Sequence, residues 1–211
     1  MVGPVKTAPG GYTHIFMAVD KFTKWIEVKV VTSIDTAKAA QFMKEITHCF
    51  GVPNRIITNL GMEFTGSEFW DFCQDNLIDV YYSSVAHLCC KGQVERANAM
   101  VLQLLKSCIF DNAAKYATKW LRELPHVIWG LRTQKSRATG YTPFSMVYGS
   151  EAVLPSDVAF GAPCIQYYEE GEAKTSWHVD IDSLEEHLVA ALIQRAHHEQ
   201  QIRHYHDRNV R

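Results

Sequence analysis

The chain has 211 residues, of which 47% are hydrophobic and 11% aromatic, and its formal net charge is −2. This length fits one domain, or one domain with an appendage, and the apolar content is ample for a buried core. The near-neutral charge does not by itself indicate a nucleic-acid-binding protein. No apolar run approaches the roughly 18 residues that a membrane-spanning helix needs.

The first half of the chain has the pattern of an α/β domain. Apolar and β-branched runs predict strands at residues 14–19, 25–31, 55–58 and 78–82. A helical pattern follows Ser33 and ends near Gly51, and Ser67 is a candidate N-cap for a second helix. Residues 83–91 are expected to form a loop. Strands followed by alternating helix and strand predict an α/β fold.

The second half is predominantly helical in its pattern. The helical period is clearest at residues 93–110, and a further helix is expected over 117–131 with Pro125 as an interruption or kink. Glycine, proline and acidic residues after position 155 predict a linker, and an amphipathic stripe begins at residue 180. The expected organisation is therefore a core at 1–155, a linker at 156–179 and a connecting helix at 180–211.

The cysteine pattern bears on location and on zinc. Six cysteines occur without a CxxC pair, and no signal peptide precedes them. We therefore expect free thiols and a nuclear or cytoplasmic protein that is not secreted. His87 lies close to Cys89 and Cys90, but adjacent cysteines do not readily share one tetrahedral zinc ion, so a zinc site is disfavoured.

Two short motifs contain the candidate site residues. Asn59 lies in IITNLGMEF and Glu95 lies in KGQVERAN, with 35 residues between them. Together with blocks at residues 10–27, 124–155 and 203–211, these motifs resemble the cores of gypsy-type retrotransposon and retroviral integrases. Each block is weak alone, but their collinear order over nearly the whole chain is specific.

The resemblance implies a fold and a site. The fold is RNase H-like, a mixed sheet flanked by helices, with its central first strand truncated here and a C-terminal amphipathic helix added. In such cores two Asp and one Glu hold two Mg²⁺ or Mn²⁺ ions over a phosphodiester. Glu95 matches the Glu, so it is the candidate catalytic residue and metal ligand, whereas Asn59 occupies the second Asp position. The first Asp would precede Val2. We therefore expect the site to bind Mg²⁺ poorly. We also expect the isolated chain to be marginally stable.

The local charge pattern suggests a polyanionic partner. Between Lys91 and Arg137 there are nine basic and three acidic residues. Such a stretch fits a DNA partner, although an ordinary solvated face explains the charge about as well. The candidate nucleic-acid-binding residues are Lys91, Gln93, Arg96, Asn98 and Lys106.

Three functions remain open at this point. The first is an active metal-dependent polynucleotidyl transferase, and the second is a DNA-binding integrase core without catalysis. The third is a protein-interaction module that uses a core dimer face or the C-terminal helix. We favour the second, with DNA as partner, a possible homodimer through the core, and neither a membrane nor a small-molecule substrate. Asp20 is expected to be a turn residue rather than a substitute ligand.

Overall fold

A computed structural model describes residues 1–83, 88–109, 119–161 and 170–209. Of the helical residues 88–91, 93, 108–109, 170–182, 206 and 209 it describes the backbone alone. The described chain divides into two compact units. The first unit comprises Met1–Val19 with Ile26–Ile128, and the second comprises Asp20–Trp25 with Trp129–Arg211.

The strands of the first unit pair in two ways. β1 (His14–Val19) and β2 (Ile26–Val31) are antiparallel, whereas β3 (Arg55–Thr58) and β4 (Asp79–Tyr82) are parallel. β1 and β3 have the predicted bounds, and β2 and β4 each begin one residue later than predicted. The α/β fold with a mixed set of strands flanked by helices is therefore confirmed.

One residue outside the four strands also pairs with β1. Val2 forms an antiparallel bridge with Ile15, and the two residues exchange N–H···O bonds of 2.9 Å in both directions. The described strands pair as two two-stranded sheets.

Three helices cover the sheets of this unit. α1 (Thr36–Phe50) is capped by Asp35, whose carboxylate accepts the Lys38 amide at 2.8 Å, and Gly51 ends it at φ 82°. α2 (Met62–Thr65) and α3 (Ser67–Asp75) follow. The prediction that Ser67 is an N-cap is wrong, because Gly66 takes the cap position in extended backbone and Ser67 is the first helical residue.

The core of the first unit joins both sheets to α1 and α3. It contains eight buried residues, namely Phe16, Val31, Ala39, Phe42, Met43, Phe69, Cys73 and Ile78. Phe16 stacks on Phe42 with ring centroids 5.9 Å apart, and Phe69 meets Phe64 edge-on at 5.4 Å. Burying each such large side chain stabilises the fold by about 1.5–3 kcal/mol.

Two longer helices complete the first unit. α4 (Leu88–Ile109) packs against β1. The prediction of a loop up to residue 91 is wrong for residues 88–91, because α4 continues through Gly92, which a helix interior tolerates at a cost of about 1 kcal/mol. α5 (Trp120–Thr133) continues through Pro125, so the predicted interruption there is wrong, and a kink at Pro125 stays a prediction. The Trp120 indole donates to the Lys6 carbonyl at 2.7 Å.

The second unit is built around the turn that links β1 to β2. It contains α6 (Pro143–Tyr148), α7 (Pro155–Phe160) and α8 (Glu170–Asn209), besides the end of α5. α7 from its second residue onward, and the start of α8, fall within the predicted linker at 156–179. The predicted domain boundaries stay a prediction. Among the described residues no helix combines the length and apolar character needed to cross a membrane.

Candidate nucleic-acid and metal site

The first candidate residue, Asn59, directly follows β3. The end of that strand is fixed because the Ser83 amide and hydroxyl both donate to the Thr58 carbonyl, at 2.9 and 3.1 Å. The Thr58 hydroxyl in turn donates to the Asn59 carbonyl at 2.8 Å. Asn59 is exposed at this edge. An amide there offers a neutral oxygen, which is a weaker ligand for Mg²⁺ than a carboxylate.

The second candidate, Glu95, lies on α4. Ala97, Val101 and Leu105 are spaced four residues apart and are buried, so they form the face that packs on the sheet. Glu95, Arg96 and Lys106 are exposed. At about 100° per residue, Glu95 and Lys106 lie within about 20° of one another around the helix, whereas Arg96 lies about 100° from Glu95. Lys106 therefore lies on the same side of α4 as Glu95, whereas Arg96 lies on a different side.

The other predicted contacts are placed less completely. Asn98 is half-buried, and its side-chain amide donates to the Met1 carbonyl at 3.5 Å. Lys91 and Gln93 lie on the first turns of α4, and their side chains are outside the described part. The same holds for the side chains of Cys89 and Cys90, whereas His87 lies outside the described residues altogether.

A buried carboxylate was missed by the sequence analysis. Glu63 lies on the short helix α2 and is only 7% exposed, and its Oε1 has no hydrogen-bond partner among the described residues. Both carboxylate oxygens are folded back so far that a Cβ at Gly61 would lie 2.5 Å from each. The signal available in the sequence was an acidic residue between two apolar ones, Met62 and Phe64, which is common on a solvated helix as well.

The residues at the two matched positions do not fit a two-metal site. Two Mg²⁺ ions carry four positive charges, while Glu95 and one bound phosphodiester supply two negative charges. Within the described ranges, no group of three or more His, Cys, Asp and Glu side chains is placed to hold a metal ion. Asn59 and Glu95 by themselves therefore supply too little negative charge to hold two Mg²⁺ ions.

Asp20 has a structural role, as predicted. Its Oδ2 accepts the amides of Phe22 and Thr23 at 3.1 and 2.6 Å, and the Thr23 hydroxyl at 2.8 Å. These bonds close the turn between β1 and β2 in the second unit. An Asp that accepts three local hydrogen bonds in this way is a turn-forming residue.

Lys24 follows in the same turn with an uncommon backbone conformation, φ 65°. Its ammonium donates to the Lys21 carbonyl at 2.5 Å. Burial lowers the pKa of Lys24 to about 8, and the nearby Arg195 guanidinium acts in the same direction. Arg195 itself is paired with Glu199 at 3.0 Å, which holds the pKa of Glu199 below its usual value.

Comparison with known sequences finds distant relatives. The chain is 27% identical over 157 residues to the Pro-Pol polyprotein of Simian foamy virus type 1, and this match covers 73% of the chain. It is 28% identical over 151 residues to the Transposon Tf2-3 polyprotein of Schizosaccharomyces pombe, covering 70% of the chain. The chain spans 13% and 11% of these relatives. No family model matches it.

Comparison with solved structures decides the fold. The HTLV-2 integrase catalytic core domain, solved with magnesium in a trimeric form, matches with a TM-score of 0.53 at 20% identity, covering 65% of this chain and 85% of that chain. The chain has the fold of an integrase catalytic core. A simian T-cell lymphotropic virus intasome, in complex with PP2A regulatory subunit B56 gamma, matches this integrase-like core with a TM-score of 0.55 at 19% identity, covering 71% and 52%.

Proposed function

We propose that this integrase-core-like protein binds DNA through α4 and does not cut it. The observation that carries the proposal is Asn59, a neutral and exposed amide at the carboxyl end of β3, where the resemblance implies an Asp. With Glu95 as the one charged ligand at the matched positions, two divalent cations and a phosphate are not neutralised.

The DNA contacts are proposed from exposed cations on one helix. Arg96 and Lys106 are both exposed on α4, ten residues and thus about 15 Å apart along the axis. That span equals about four steps along one DNA strand at 3.4 Å per nucleotide. Lys91, Gln93 and Asn98 are proposed as further contacts towards the start of α4. Cations at this spacing position a phosphate backbone without reading its sequence.

The test is a DNA nicking and strand-transfer assay on folded protein, first with Mg²⁺ and then with Mn²⁺. Three variants accompany the parent: Glu95→Gln, Asn59→Asp and the double variant Asn59→Asp/Glu95→Gln. We expect no cutting by the parent, with DNA binding retained in a filter or gel assay. Cutting by the parent that Glu95→Gln abolishes would refute the proposal, since other groups would then complete the site.

The variant Asn59→Asp tests the reason for inactivity. It restores one negative charge at the end of β3 without changing side-chain size. Any cutting that Asn59→Asp gains must disappear in the double variant if the two positions act on the same metal ions. If the parent does not bind DNA at low salt, the proposal fails, and a protein-interaction module becomes the better explanation of the chain's function.

Self-association is proposed as well. It is supported by the trimeric form in which the HTLV-2 integrase core was solved. We expect the purified chain to sediment above its monomer mass of 24.0 kDa at micromolar concentration. A monomer at all concentrations in equilibrium sedimentation would contradict this.

A further inference from the structure

The long helix α8 has apolar residues on two opposite sides. One side packs within the second unit, where Ala191 is fully buried and the Arg195 guanidinium lies 5.9 Å from the centre of the Phe22 ring. The other side is exposed: Val189 is 54% exposed and Ile193 is 65% exposed. At about 100° per residue, both lie about 160° around the helix from Ala191. α8 therefore presents apolar side chains away from the unit on which it packs.

The exposed side of α8 follows the spacing of a coiled coil. Its residues are separated by three and four positions in turn, a spacing that keeps one side of a helix towards a partner helix over several turns. All six are exposed, and we call them the outer stripe: Glu186, Val189, Ile193, Ala196, Gln200 and Arg203. The centre of the outer stripe is apolar, and its two ends carry opposite charges.

The order of these charges favours one way of pairing two copies. In a parallel pair each residue meets its own equivalent, so Glu186 would face Glu186 and Arg203 would face Arg203. In an antiparallel pair centred between residues 194 and 195, Glu186 of each copy meets Arg203 of the other. Like charges at such positions oppose pairing and opposite charges favour it. The outer stripe is therefore complementary to itself in the antiparallel direction.

The same antiparallel register also brings the apolar residues together. Ile193 of each copy meets Ala196 of the other, which places a large side chain opposite a small one at the centre. Leu192, 51% exposed, lies beside this contact, and Val189 meets Gln200 further out. The outer stripe spans 17 residue steps from Glu186 to Arg203, about 26 Å along the helix. An interface of this size fits a weak dimer that forms at micromolar concentration.

We propose that the outer stripe of α8 binds the outer stripe of a second copy of this chain, in an antiparallel and two-fold symmetric arrangement. This inference rests on the self-association proposed above and names the surface that forms it. It involves no residue of α4 or β3, so it stands apart from the proposed DNA contacts and from the matched positions Asn59 and Glu95.

The first test places a charge at the centre of the outer stripe. We expect Ile193→Asp to weaken dimerisation of the full chain by at least about tenfold in equilibrium sedimentation, because the central apolar contact is lost in both copies. The matched control is Ile202→Asp, since Ile202 is 39% exposed and lies nine residues later, about 180° around α8 from Ile193. Ile202→Asp should dimerise as the parent does. The circular dichroism spectra of both variants should match that of the parent.

The second test exchanges the charges at the two ends. Glu186→Arg and Arg203→Glu each place like charges opposite one another in the antiparallel pair, so each should weaken dimerisation by at least about tenfold. The double variant Glu186→Arg/Arg203→Glu restores opposite charges and should dimerise as the parent does. In a parallel pair neither single variant would add a like-charge contact. An effect of net charge alone would move the two single variants in opposite directions.

The outcomes separate this inference from the proposal on which it rests. If the parent dimerises and Ile193→Asp dimerises equally well, the outer stripe is not the interface, and self-association through another surface still holds. If the double variant stays as weak as the single variants, the antiparallel pairing is overturned. A parent that is monomeric at all concentrations overturns both proposals, and it is the result expected if a different protein covers the outer stripe.

Discussion

Reversing the charge of Arg96 and Lys106 on α4 tests whether this helix contacts the DNA backbone. Both side chains are exposed, and neither belongs to the buried face that holds α4 against the sheet. The double variant Arg96→Glu/Lys106→Glu should therefore fold as the parent does. Its effect on DNA affinity is expected to come from lost phosphate contacts alone.

The magnitude follows from counterion release. Each phosphate neutralised by the protein contributes about −0.9 to the slope of log affinity against log salt concentration. Two lost contacts should make the slope shallower by about 1.8. Between 50 and 200 mM salt, the affinity of the parent should fall by a factor about 12 times larger than that of the double variant. Each single variant should show about half of the change in slope.

The assay is fluorescence anisotropy with a labelled duplex at several salt concentrations. Lys44→Glu is the matched control for each single variant, because it makes the same charge change at an exposed position on α1. An unchanged slope in the double variant would refute the placement of DNA on α4. So would a loss of affinity in Lys44→Glu equal to that in the single variants, because it would show that net charge and not position decides affinity.

Three further predictions concern stability and titration. Phe69→Ala removes a fully buried ring that contacts Phe64, and it should lower the free energy of unfolding, measured with urea, by about 3–5 kcal/mol. The control Met62→Ala, at an exposed position, should lower it by less than about 0.5 kcal/mol. Asp35→Ala removes the cap of α1 at a cost of about 1 kcal/mol. The Lys38 amide lowers the pKa of Asp35 in the folded chain. The cost of Asp35→Ala should therefore be complete above the unfolded pKa of about 3.9 and should be lost as pH falls through the lower folded value. A cost that does not fall with pH below about 3.9 would contradict the cap. The pKa of Lys24 is about 8 in the folded chain and about 10.4 in the unfolded chain. Between these two pH values the unfolded chain binds more protons, so the free energy of unfolding should rise with pH in the parent. It should not show this rise in Lys24→Met.

The regular elements could be predicted because their signals are local. β1 and β3 have the predicted bounds, since each is a short apolar run between turn residues. The first residue of α4 was misplaced, because continuation of a helix through Gly92 is decided by packing and not by intrinsic propensity. The cap of α3 was misassigned for a similar reason, because Gly66 and Ser67 are both acceptable near a helix start and local sequence does not choose between them.

The candidate site could be predicted only in part. Asn59 and Glu95 were found by motif, and the structure places them at the end of β3 and on α4. Their pairing on one metal ion stays a prediction. Glu63 was not found, because the burial of a carboxylate is visible only when the surrounding contacts are known. Both of its oxygens lie 2.5 Å from the place that a Cβ at Gly61 would take, a contact that the sequence does not show.

The turn between β1 and β2 has a consequence for biosynthesis. Trp25 packs against Phe144 and Tyr148, with ring centroids 6.4 and 5.6 Å away, and the Arg132 guanidinium lies 4.1 Å from its ring. Phe144 is added to the growing chain 119 residues after Trp25, which takes about 6–24 s at 5–20 residues per second. Throughout that interval the indole of Trp25 lacks the aromatic side chains that pack on it in the folded chain. Products that stop before residue 144 keep it uncovered and should be retained by chaperones or removed by proteases.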